Sequence, residues 1–456
     1  MLMVIGGQIS IHANSVSIGP SLVFERLWKD LGLPGIIFNL AKERKYSFNI
    51  ERAIFLTVLH RLFQSGSDRQ CDKWREGYQI EGTEKISLHH LYRAMSFLRQ
   101  EVEDQRGKTP VSPRCIKDGI EEKLFQRRMD LFSSLDLVFF DTTSIYFEGY
   151  GGDSLGYFGH SKDHRPDLNQ MIVGAVLNNQ GDPICCELWP GYTADVNTLL
   201  PVTDRIRSRF GVKQFCIVAD RGMISAKTIE GLEKRDIHYI LGVKMRLQKF
   251  IREDVLSRAG RFEPVRTETE DEDHDPLKVK EVIEDGKRFI ICMNEKQARR
   301  DAAARQAILE VLEEKLETNP GSLIGNRGFK KYLRLRKGSF TINKKKIESE
   351  KRFDGKWVLQ TNTNLPSAEV ALKYKELWQV EDGFYAKYIV MQSRRKSHIV
   401  DQPVIRQLYT TTLHNNIIVE YFLTNQVNSY SFPIHNDWPF RGQGSYMLFQ
   451  ALPASA

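Results

Sequence analysis

The chain has 456 residues, 41% hydrophobic and 27% charged, enough for two to four domains, or one large domain with insertions, with a sizeable core and not the composition of a disordered protein. Lys and Arg outnumber Asp and Glu by 66 to 58, a net charge of +8 that favours a polyanionic partner without proving one. The six cysteines form no CxxC pair and sit mostly in apolar strings, the first residues lack a secretory pattern, and no run nears ~18 apolar residues; buried thiols, a reducing cytoplasm and no membrane span are expected.

Residues from about 20 to 130 carry apolar side chains at helical spacing, in LVFERLWKDLG, IERAIFLTVLHRLF and LHHLYRAMSFLRQEVED. They predict an all-helical N-terminal module of four to six helices, spanning 1–130. The texture changes near residue 135. LDLVFFDTTSIYFE, NQMIVGAVLN and PICCELWP read as strands, with NNQGD as a hairpin turn. VNTLLPVTDRIRSRF reads as a helix, KQFCIVAD as a buried strand, SAKTIEGLEKRD as a Ser-capped helix and IHYILGVK as a strand. Such an order predicts an α/β fold, a mixed sheet with helices on its faces, over 131–246. Between 247 and 355 an acidic turn, a long charged helix and a basic, aromatic-rich stretch read as an inserted domain. The strand GKWVLQTN and a helix from Pro366 and Ser367 through Tyr388 follow, in a segment 356–395. The stretch 396–456 reads as a divergent tail.

Two apolar strands end in a carboxylate: Asp141 in VFFDTTS and Asp220 in CIVADRG. In open α/β sheets, ligands commonly bind beyond the carboxyl ends of the strands. Two carboxylates held together repel unless a cation lies between them, and hard oxygen donors favour Mg2+ or Mn2+. A third carboxylate would complete a pair of cation sites, and two ions about 4 Å apart activate water and stabilise the leaving oxygen of a phosphodiester. Each Asp alone also suits a turn or helix cap.

The strings around these residues go further. FDTTSIYFE, GHSKDHRPDLNQMIVGAVLNNQGDPI, PGYTADVNTLL, VADRGMIS and FDGKWVLQTNTNLPSAEVALKYKELWQVED resemble insertion-sequence transposases with a DDE triad on an RNase H-like fold, in the hairpin-forming cut-and-paste group. The resemblance implies Asp141, Asp220 and Glu381 as catalytic, metal-binding acids, the last on a helix behind a β-rich, DNA-contacting insertion. It also implies two Mg2+ (or Mn2+) ions, terminal inverted repeats and target DNA as double-stranded partners, a homodimer on DNA, and a prokaryotic, nucleoid-associated location. Water would cut the element's end, the freed 3′-hydroxyl would form and then leave a hairpin, and the same hydroxyl would join target DNA. The helix signature of this group matches at Tyr374 and Glu381, but its Arg position is Leu377 and its Lys position is Tyr388. Tyr374 is a candidate DNA contact, and Lys375 and Lys387 lie close by and are candidate phosphate contacts. The pattern departs after Glu381, as a frameshift there would make it do.

His160 and His164 have a metal-compatible spacing, but the loop suits a structured turn, with Lys162 and Arg165 contacting phosphate. Asp195 is expected to cap its helix, and Arg221 to touch a phosphate. Lys330, Lys331, Arg334 and Arg336, within a basic run that reaches Lys346, are expected to form a sequence-independent DNA-backbone surface. Two rival functions share these residues: a metal-dependent nuclease on the same fold, and a DNA-binding remnant that has lost catalysis.

Overall fold

The computed structural model describes residues 15–64, 66–109, 112–128, 135–147, 154–162, 165–265, 277–318, 327–336 and 339–380, with the backbone of 2–5 and 8–11. Two compact units divide the chain. In the described residues the first takes in positions up to 217, with 230–237 and 377–380; the second takes in 218–229 and 238–376.

The first unit begins with the antiparallel pair β1 (Leu2–Ile5) and β2 (Gln8–Ile11), so the span 1–130 is not all-helical as predicted; the sequence carries no clear signal for the pair. Six helices follow among the described residues: α1 (Gly19–Asp30), α2 (Leu33–Ala41), α3 (Ile50–Phe63), α4 (Asp68–Trp74), α5 (Leu88–Arg99) and α6 (Ile116–Arg128). Their apolar faces close one core around Trp28, Ile37, Phe55, Leu59, Leu91 and Phe97. α3 is buried almost all round, as befits a helix enclosed by others. Ser67 and Gln70 form a reciprocal capping box that starts α4.

β3 (Leu137–Tyr146), β4 (Gln170–Asn178) and β5 (Pro183–Pro190) form an antiparallel meander. The turn from β4 to β5 is the expected hairpin, with Gly181 at φ +79° and the Asn178 side chain accepting from Gln180 N and Asp182 N. β5 ends the strand order, yet every residue in it is buried. α6 covers its open edge: Lys117 Nζ donates to Cys186 O at 2.9 Å, and Cys186 N donates to Glu121 Oε1 at 3.1 Å. Charged side chains thus take the hydrogen bonds that another strand would otherwise seek. α7 (Leu199–Phe210) leads to β6 (Cys216–Ala219), and the strand order on this side is β5-β4-β3-β6.

β6 contributes two residues to each unit. The order continues from β6 to β7 (His238–Gly242) of the second unit, reached through α8 (Ala226–Glu233), whose residues from Glu230 onward are assigned to the first unit. Ser225 Oγ accepts from Thr228 N at 3.0 Å and caps α8 as its sequence predicts. β8 (Glu263–Pro264), β9 (Lys278–Glu284) and β10 (Lys287–Met293) are next in the chain. After the 24-residue α9 (Glu295–Thr318) come α10 (Arg327–Lys330), the hairpin β11 (Leu333–Arg336) and β12 (Ser339–Ile342), and α11 (Lys344–Lys351). β13 (Lys356–Thr361) then pairs antiparallel with both β7 and β10, giving the order β7-β13-β10-β9-β8. Strands of the segment 247–355 therefore extend the strand order outward from β13. α12 (Ser367–Lys375) ends six residues before Glu381, where the apolar spacing predicts an unbroken helix through Tyr388. A turn at Glu376 and Leu377 interrupts it, with the Leu377 side chain buried.

A mixed sheet flanked by helices, antiparallel first and then built by helical crossovers, is the RNase H-like α/β arrangement the sequence predicts. All six cysteines are buried thiols. Among the described residues no helix is long and apolar enough to cross a membrane.

Candidate active site

In the first unit, β3 carries Asp141 in mid-strand, opposite Ala175 of β4, and not at the strand end that the sequence predicts, because the pairing with β4 continues through TSIY to Tyr146. Four buried residues, Leu137 to Phe140, precede it, and from Asp141 to Ile145 half-buried and buried positions alternate. The apolar run thus anchors the strand, and Asp141 is the first side chain to leave that anchor. Its Oδ1 accepts from Thr142 N at 2.7 Å. Thr142 faces the other side of the strand, as period-2 geometry demands, and is 2% exposed. Its hydroxyl donates to Asp195 Oδ1 at 2.8 Å. Lys162 Nζ donates to that hydroxyl at 3.1 Å and to the Thr142 carbonyl, and lies 3.5 Å from Asp195 Oδ2.

Asp195 does not cap α7, contrary to expectation. It opens a short 3-10 turn, Asp195–Asn197, and Thr198 stands at the helix entrance with no side-chain cap. Its carboxylate is drawn instead to a buried hydroxyl and a cation, a charge-assisted arrangement stronger than a solvent-facing cap. Lys162, expected on phosphate, is engaged by Thr142 and Asp195 in this structure. Arg165 pairs with Asp167 at 2.9 Å and lies over the Tyr146 ring at 5.4 Å. His160 is exposed, and His164 lies outside the described residues.

In the second unit, Asp220 follows β6 directly. It caps the turn Arg221–Met223 through a 3.4 Å bond from Gly222 N, the plain turn-capping role that its place after a strand also suits. Its other oxygen, Oδ1, accepts from the Tyr374 hydroxyl of α12 at 3.2 Å. Gly242, at the end of β7, makes room for this contact. A Cβ there would stand 2.3 Å from the Tyr374 hydroxyl oxygen and 3.0 Å from Arg221 N. Asp220, Arg221 and Tyr374 are therefore gathered in one place. Arg221 is half-buried and Lys375 is exposed.

The basic stretch is only partly available to a ligand. Glu350, 3% exposed, binds Lys331 at 2.5 Å, Lys346 at 2.9 Å and Arg246 at 3.4 Å. Burial would raise its pKa, but the bonds from Lys331 and Lys346 outweigh that and hold the carboxyl below its usual range. Lys330, Arg334, Lys344 and Lys345 stay exposed, and Arg336 is described by its backbone alone, in β11.

Glu381 and Lys387 lie outside the described residues, as does the chain beyond them where the sequence pattern departs. Among the described residues no group of three or more His, Cys, Asp or Glu is placed to hold a metal. What the two Asp residues offer fits a hard divalent cation: carboxylate oxygen donors, half-buried at the ends of buried apolar runs. Sequence reasoning missed Thr142 and the structural task of Gly242. The DTT string held a signal for the first, whereas a glycine's clearance has none.

Three comparisons bear on this geometry. No curated protein matches the chain. Among solved structures it is similar to a piggyBac transposase synaptic complex with hairpin DNA, at 10% identity over 90% of this chain and 76% of that one; the TM-score of 0.36 is too low to carry an argument. The Transposase DDE domain family matches residues 133–413, more than half of the chain and a span that includes Asp141, Asp220 and Glu381. The chain therefore belongs to the DDE transposase family, whose members use divalent metal ions.

Proposed function

We propose that this protein cuts an insertion sequence at its terminal inverted repeats and joins the freed ends to target DNA. The observation that carries the reading is the placement of Asp141 and Asp220 behind buried apolar runs, inside a span matched by the DDE family. In the proposed site Asp141, Asp220 and Glu381 hold the metal. Two Mg2+ ions, when bound, activate water and stabilise the leaving oxygen. The chain's own groups supply position and fixed charge. Tyr374 orients Asp220 from α12, and Arg221 sits beside it to contact a phosphate, with Lys375 and Lys387 as further phosphate contacts. Hydrolysis breaks the P–O3′ bond and leaves a 3′-hydroxyl. In joining, that hydroxyl attacks a target phosphorus and displaces a new 3′ oxygen. A helical module over 1–130 that binds DNA and dimerises, an insertion over 247–355 and action on the nucleoid in the cytoplasm complete the proposal.

The test pairs a cleavage assay with a strand-transfer assay on a pre-cut end, both in Mg2+. Cleavage and joining by the natural chain, with neither in Asp220→Ala, are expected. Hydrolysis without joining favours a nuclease. Equal behaviour of the natural chain and the variant, with DNA still bound, favours a remnant without catalysis.

The basic surface gives a separate expectation. Lys330→Gln and Arg334→Gln should each lower the slope of log affinity against log salt by about 1, the signature of one phosphate contact. Lys331→Gln should change it little, because Glu350 already holds that charge. Fluorescence anisotropy with duplex DNA at several salt concentrations measures all three.

A further inference from the structure

We propose that Lys162 and Asp195 form a positioning pair that fixes the Asp141 carboxylate, acting through Thr142. This rests on the reading of Asp141 as a metal ligand.

Thr142 is the residue through which the two are linked. Its N–H holds Asp141 Oδ1 at 2.7 Å. Its buried hydroxyl is held by Asp195 at 2.8 Å and by Lys162 at 3.1 Å, and its carbonyl is held by Lys162 as well. One residue is thus gripped at every polar atom, on the peptide next to the acid. The loop that carries Lys162 is itself tied to β3, because Lys162 N donates to Ser144 Oγ at 2.8 Å. Ser144, 3% exposed, lies on the same face of the strand as Thr142. A carboxylate on a strand can still turn about its side-chain torsions. A strand whose next residue cannot shift offers it one fixed N–H, and so one preferred orientation.

The pair draws together two sequence strings that the triad does not use. Lys162 comes from GHSKD and Asp195 from GYTADVN, and both reach the Thr142 of FDTTS. It contributes little as a structural brace. Both side chains are about a third exposed, at 34% and 28%, and ion pairs of that exposure have small effects on stability. Groups that orient a metal's own ligands, by contrast, alter metal affinity by roughly 10- to 100-fold.

The experiment uses the full chain without DNA and titrates Mn2+ alone, read by calorimetry, with the thermal midpoint and duplex binding measured on the same samples. Asp141→Asn is expected to remove Mn2+ binding. Lys162→Met, Asp195→Asn and Thr142→Val are each expected to weaken it about tenfold, with the midpoint and duplex affinity nearly unchanged. The double variant of Lys162→Met and Asp195→Asn should be no worse than either alone, and Lys162→Arg should recover part of the loss. If Asp141→Asn removes binding while Lys162→Met and Asp195→Asn bind Mn2+ like the natural chain, the positioning pair is wrong and the metal-ligand reading survives. The pair is equally wrong if Lys162→Met weakens duplex binding alone, which makes Lys162 a phosphate contact. If Asp141→Asn itself binds normally, the metal-ligand reading falls and takes the pair with it.

Discussion

Gly242→Ala is expected to lower DNA cleavage roughly 10- to 100-fold with the fold intact, the range set by losing one hydrogen bond to a charged group. The added Cβ would sit 2.3 Å from the Tyr374 hydroxyl oxygen, closer than non-bonded atoms approach, and 3.0 Å from Arg221 N. Something must move. Gly242 is fixed by its place opposite Leu359 in the β7–β13 ladder, and Arg221 N is backbone. The Tyr374 ring, as the end of a side chain, yields first. It then leaves Asp220 Oδ1, to which it donates at 3.2 Å. Asp220 keeps the long 3.4 Å bond from Gly222 N, and its orientation loosens. Tyr374→Phe removes the same bond without the clash, so it should reproduce most of the loss. Combined with Gly242→Ala, the absent hydroxyl relieves the crowding, so the two effects should not add. Additive losses in a cleavage double-mutant cycle would instead place the effect of Gly242 on the Arg221 backbone.

Gly242 also shows what a sequence can and cannot disclose here. β3 and β6 are legible because apolar runs before Asp141 and Asp220 leave little choice but a buried strand. The β4–β5 hairpin and the Ser225 cap are legible because turn and cap chemistry is local. Lys162 and Asp195 are visible as members of unusual strings, but not as partners. Their meeting at Thr142 spans separate loops, and no periodicity encodes it. Asp195 misleads for the same reason: a cap is the best local solution, and a non-local hydroxyl and cation take the carboxylate. Lys331 looks like free charge because Glu350, which pairs with it, lies 19 residues along in α11. The break at Glu376 and Leu377 is hidden because the apolar spacing runs straight through it. Most of the missed features are pairings between distant residues; most of the recovered ones are local.

The largest stability effect is expected from Arg209→Met. Arg209 is fully buried in a network that joins the cations Arg114, Lys117, Arg205 and Arg209 to the buried carboxylates Asp118, Glu121, Glu122 and Glu187, with Arg114 also reaching the more exposed Asp104, itself paired with Arg106. Arg209 touches every one of the buried carboxylates: Asp118 at 3.2 Å, Glu122 at 3.1 Å, Glu187 at 2.9 Å, and Glu121. Burial pushes the Asp118 carboxyl up, but Lys117, Arg209 and Arg205 outweigh it and hold it below its usual range. For Glu121 burial wins over Lys117 and Arg209, and its carboxyl is raised. The network is balanced, so each charge is tolerated only while its partners remain. Removing Arg209 takes a partner from each of these buried carboxylates, and breaking a buried pair in this way costs about 3–5 kcal/mol. Arg235→Met, which breaks an exposed pair with Asp204, should cost less than about 1 kcal/mol. Urea unfolding of both variants measures the contrast. The buried network joins α6, β5 and α7, and through Lys117 and Glu121 it also covers the open edge of β5. Arg209→Met should therefore expose that edge and promote aggregation as well as unfolding. A variant as stable as Arg235→Met would mean that water enters and rehydrates the carboxylates, and that apolar packing alone holds α6 against the sheet.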